Sequence, residues 1–76
     1  MARPLYTIAT EIRRNWKTVS PYAAPYLQAM GTLNSIEDNY GFDSAYSIVS
    51  YFLANAGSWR GEVARSIKAE LKAMLR

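Results

Sequence analysis

The chain has 76 residues, half of them hydrophobic and 13% aromatic, with no cysteine and no histidine. That composition suits one domain spanning 1–76 with a packed core, and it excludes disulfides, thiolate metal sites, and the commonest general base and metal ligand. A net charge of +3 and a pI near 9.5 allow an anionic partner without requiring one.

The opening Met1-Ala2-Arg3-Pro4 runs straight into an amphipathic stretch, without the hydrophobic region of a signal peptide, so a cytoplasmic protein is expected. Pro4 suits a first helical turn, and Leu5, Ile8, Ala9, Ile12 and Trp16 follow at helical spacing. A first helix is predicted from there to Lys17 or Thr18. Ser20-Pro21 reads as a cap and first-turn proline, but Pro25 lacks the N–H that would bond back to Pro21. The second helix therefore has either a loose first turn or a start nearer Ala24, with Tyr26, Leu27, Met30 and Leu33 on its buried side.

Asn34 to Phe42 reads as a connection with turn chemistry at Asn39-Tyr40-Gly41, and strand-like alternation is absent. Glu37, Asp38 and Asp43 place half of the acids within seven residues. Asp43 or Ser44 should cap a third helix reaching about Ala56, with Ala45, Ile48, Val49, Phe52 and Leu53 inward. Carrying no charge after Asp43, it is expected to be central. The uncharged run Ser44–Trp59 holds four serines, Asn55 and Gly57, too short and polar to span a bilayer, so no membrane partner is expected. Gly57 should end the third helix and Ser58 cap the fourth at once. That junction is too tight for a helix-turn-helix.

On a wheel of about 100° per residue, Val63, Ala64, Ile67, Leu71, Met74 and Leu75 share one arc of the last helix. Arg65, Lys68, Lys72 and Arg76 lie beside it on one side only, with Glu62 and Glu70 outside that stripe. In the first helix Arg13 and Lys17 take the same rotational side, with Tyr6 among them and Arg14 further round. If the two helices pack antiparallel, the stripes should fall on the same side and form a joint patch for phosphate contacts or an acidic protein surface. The competing reading is a solvated flank whose long stems cover the core edge.

Ser58-Trp59-Arg60-Gly61-Glu62 offers Trp59 and Arg60 as interface anchors. Structurally, Trp59 would close the junction from the first helical turn, and Gly61 would admit a close backbone. The acidic loop fails as a calcium site, because Asp38 and Asp43 bracket Gly41 without the alternating ligands of an EF-hand. Nothing beside those carboxylates supplies a nucleophile, metal or cofactor cradle, so no cofactor and no enzyme is expected. Ser47, Ser50 and Ala54, with Tyr51 alongside, oppose the apolar arc of the third helix. These small uncharged residues fit close approach by another helix of the chain or by a second copy.

Asp38-Asn39-Tyr40-Gly41-Phe42-Asp43-Ser44-Ala45, the run from Ile48 to Ala56, Trp59-Arg60-Gly61-Glu62 and Lys68-Ala69-Glu70-Leu71-Lys72 resemble a group of small phage- and prophage-encoded helical proteins. The resemblance covers most of the chain from Arg3-Pro4-Leu5-Tyr6 onward. It implies a setting, the infected bacterial cytoplasm, and no activity or site residues.

The expected fold is all-α, a compact bundle of three to four short helices with the third central. The expected function is a non-enzymatic interaction protein, binding a host or phage protein or nucleic acid through Arg65, Lys68, Lys72, Arg76, Arg13, Lys17 and Arg60. The alternative is a self-associating module, a homodimer formed through the third helix.

Overall fold

The computed structural model describes residues 3–75. Four helices, α1 (Leu5–Asn15), α2 (Ala24–Met30), α3 (Ala45–Ala54) and α4 (Glu62–Met74), are joined by turns and one small antiparallel hairpin, β1 (Asn39–Tyr40) with β2 (Asp43–Ser44). The radius of gyration, 11.1 Å, matches the roughly 11 Å of a compact chain this long.

The apolar stripe of α1 is buried as its spacing requires: Leu5, Ile8, Ala9 and Ile12 within the helix and Trp16 just past its end. Free N–H groups of a first turn need partners. Leu5 N and Tyr6 N find them in the carbonyls of Asn34 and Leu33, at 2.8 and 2.9 Å, which ties the start of α1 to the segment after α2. Ser20 does open a turn, with its carbonyl accepting from Ala23 N and Ala24 N. The missing N–H of Pro25 nevertheless delays the regular helix to Ala24, the later of the two expected starts.

Ser44 caps α3, its Oγ accepting from Ser47 N at 3.1 Å. The connection before it is not purely irregular, which corrects the all-α expectation to mostly α. Gly41 at φ +64 and Phe42 form a two-residue turn with a positive φ at the first central position only, and this allows Tyr40 to pair with Asp43 and Asn39 with Ser44. Strands of two residues are too short to show alternation in the sequence.

Ala45, Ile48, Val49 and Phe52 of α3 are buried. The expected central position of the third helix is corrected, because its other side, with Tyr46, Tyr51 and Ala54, is exposed. α3 packs chiefly on α2, while α1 touches both α2 and α4.

The expected junction at Gly57–Ser58 is corrected. Residues 55–61 form a longer connection, and α4 begins at Glu62 after Gly61. Trp59 belongs to that connection and is buried there, its ring stacked on Trp16 at 5.6 Å and 12°. Gly61 sits at φ +114 with no atom near an added Cβ, so its role is conformational and not the close approach expected. Within α4, Ala64, Ile67 and Leu71 are buried and Met74 and Leu75 partly so, while Val63 at the edge of the arc is exposed.

Arg3, at the head of α1, reaches Glu70 near the end of α4 through Nε–Oε2 at 2.9 Å and Nη2–Oε1 at 2.6 Å, and also Glu11 at 2.6 Å. Trp16 at the other end of α1 meets Trp59 ahead of α4, so the two helices run antiparallel. The hydrogen bonds from Arg3 hold the Glu70 carboxyl below its ordinary range. A carboxyl depressed on folding stabilises fully above its unfolded value and loses that contribution as pH falls through the folded one. Glu70→Gln should therefore cost up to about 1 kcal/mol near neutral pH. In urea titrations the gap to the parent should be full above the ordinary glutamate range and close as pH falls below it. A gap that ignores pH would show that Glu70 acts by packing instead.

Candidate functional site

The cations of α4 divide into free and engaged groups. Arg65 and Lys72 are exposed, as is Arg60 in the preceding connection. Lys68 is half-buried, and its Nζ donates to the Trp59 carbonyl at 2.7 Å. Its ammonium is pushed below its ordinary pKa, first by burial and then by repulsion from Lys72 and Arg60. Arg60, Lys68 and Lys72 therefore share one locality, and Arg65 lies three residues before Lys68 on the same helix. Arg76 lies outside the described residues.

The antiparallel condition for a joint basic patch is met, yet the flanks seen to meet are the acidic ones. Glu11 of α1 and Glu70 of α4 accept from the same Arg3 guanidinium. In each helix the basic stripe occupies the other flank of the buried arc. Arg13 on α1 and Lys17 just beyond its end are exposed, and the cations that press on Lys68 come from α4 and its leading connection. The two ion pairs among the described residues both belong to Arg3. The edge formed by Arg60, Arg65, Lys68 and Lys72 thus has no acidic neighbour within ion-pair distance among those residues.

The loop carboxylates are held in different ways. Asp38 Oδ2 accepts from Asn34 N at 2.9 Å and Ser35 N at 3.0 Å, and these bonds lower its pKa. It fastens the turn that leads into the hairpin. Glu37 and Asp43 are exposed. Among the described residues no group of three acids is placed to hold a metal ion.

A second surface was only half legible. Besides the uncharged α3, residues 18–36 also lack any charge, so both α2 and α3 are neutral throughout. Their outer side shows Tyr22, Tyr46 and Tyr51, with Tyr26 leaning on Tyr51 at 5.4 Å between ring centroids. Phe42 stands fully exposed at the hairpin tip. The signal available in the sequence was the length of the uncharged run before α3, where a solvated helix face ordinarily carries lysine or glutamate.

No family model matches the chain, and neither does any curated protein or solved structure.

Lys68→Met keeps the aliphatic stem but leaves the Trp59 carbonyl without its donor, and should cost about 1–2 kcal/mol. Arg65→Gln, on the exposed side, should stay within about 0.5 kcal/mol. Chemical denaturation of both variants checks the difference; equal, small effects would show that Lys68 has no structural task.

Proposed function

We propose that the protein is a non-enzymatic interaction module that takes an acidic protein surface on the edge formed by Arg60, Arg65, Lys68 and Lys72. The observation that carries this reading is the absence of acidic partners along that edge among the described residues, while Arg3 takes both Glu11 and Glu70. Opposite charge supplied by a partner relieves a crowding of cations that the chain itself leaves uncompensated. The small number of cations favours a protein over nucleic acid, as does the placement of Tyr22, Tyr46 and Tyr51 on other elements. Base stacking needs an aromatic ring beside the phosphate contacts. The resemblance to phage and prophage proteins supports an infected bacterial cytoplasm as the setting. The engagement of Asp38 in its turn, in a chain without histidine or cysteine, supports binding over catalysis.

The test uses fluorescent poly-glutamate and a random duplex DNA as probes, with anisotropy read at increasing salt. The parent should bind poly-glutamate at low ionic strength and release it as salt rises. The combined change Arg60→Gln, Arg65→Gln, Lys72→Gln should abolish that binding, with Lys68 kept for its bond to Trp59. Arg13→Gln with Lys17→Gln should leave it nearly intact. Tighter binding of the duplex, with a steep logarithmic salt slope, would make nucleic acid the partner instead. Failure to bind either probe at low ionic strength would overturn the reading.

A further inference from the structure

All nine cations of the chain fall within residues 3–17 and 60–76, where Glu11, Glu62 and Glu70 leave a net charge of +6, whereas α2 and α3 carry no charge at all. The exposed strip of α3 is built in relief. Tyr46 and Tyr51, each about half exposed, border a strip of small residues, with half-buried Ser50 and exposed Ala54 at its middle. Tyr26 of α2 leans on Tyr51 at an interplanar angle of 33°, and Tyr22, one turn earlier, is three-quarters exposed. The tyrosines therefore continue from one neutral helix onto the next.

We infer that this tyrosine face is the contact between two copies of the chain, related by a twofold axis that passes near Ser50 and Ala54. A twofold contact sets a surface patch against its own image, so a charge near the axis meets its own kind and a net charge on the patch opposes itself. The face of α2 and α3 satisfies that constraint because it has no charge to oppose. Contact through α1 and α4 would instead bring two surfaces of net +6 together. A partner with a charged surface fits this face poorly, since burying its charges against neutral groups leaves them uncompensated. A second copy brings neutral serine, alanine and tyrosine only. Large Tyr46 and Tyr51 flank small Ser50 and Ala54 on this face, so the tyrosines of one copy can lie over the small residues of the other. Tyrosine is among the residues enriched in interface cores. A stable contact needs about 800 Å² from each partner, roughly a sixth of the 5050 Å² surface. This inference is independent of the cationic edge, which lies on other elements.

Sedimentation equilibrium on the whole chain tests it. The parent should have the mass of two chains at about 100 μM and keep it from low to high salt, because no charges meet across the contact. Ser50→Arg and Ala54→Arg should each halve that mass while the helical circular dichroism is unchanged. Ala54 is exposed in the single chain, so its substitution disturbs no internal packing. A one-chain mass for the parent overturns the inference. So does a two-chain species that survives both arginines or dissolves as salt is raised. Ala54→Arg should retain the binding to poly-glutamate, so loss of the dimer and loss of the cationic edge are read separately.

Discussion

The ring of Trp16 lies between two aromatic neighbours that come from distant parts of the chain. Trp59 stacks on it at 5.6 Å, and Phe52 of α3 meets it edge-on at 6.2 Å and 75°. Both arrangements suit the charge distribution of aromatic rings, which favours offset and edge contacts. The trio joins the end of α1, the last turn of α3 and the connection before α4. With Trp59 drawn into the core, the chain must turn outward again to begin α4, and Gly61 supplies the positive φ for that turn. Lys68 then finishes the corner by bonding to the Trp59 carbonyl. Arg3 clasps the opposite end of the same helix pair. Two fastenings at opposite ends hold α1 and α4 antiparallel.

That arrangement sorts the charges of the molecule. The acidic flanks of α1 and α4 meet on Arg3, and their basic flanks are left away from the seam. The second pair of helices, α2 and α3, needs no charge to pack and carries none. The molecule therefore presents two surfaces of different chemistry. One is the cationic edge proposed to take an acidic partner, and the other is the neutral tyrosine face proposed to meet a second copy. Glu37 and Asp43, before and in the hairpin, are the exposed acids outside α1 and α4.

Much of this order is written locally. The stripe from Leu5 to Trp16, the Ser44 cap and the buried residues Ala64, Ile67 and Leu71 all follow from spacing and capping, which act within a few residues. What spacing could not show depends on distant contacts. Ser58 is a sound cap by its chemistry, yet burial of Trp59 on Trp16 overrides it and delays α4 to Glu62. The hairpin rests on two residues per strand, below the length at which alternation is visible. Arg3 and Glu70 are 67 residues apart, and only the fold reveals which helical flanks they join. For the candidate site, the α4 cations were legible as a stripe. The engagement of Lys68 by a backbone carbonyl, and the separation from Arg13 and Lys17, were not.

The central claim is that the Trp16–Trp59 stack acts as one unit on which α1, α3 and α4 depend. A double-mutant cycle with Trp16→Leu, Trp59→Leu and the pair, followed by urea denaturation, measures it directly. A coupling of about 0.5–1.5 kcal/mol is expected, so that the second substitution costs clearly less once the first is made. Additive losses would contradict it, by showing that the two rings are buried independently and that the stack does not organise the fold.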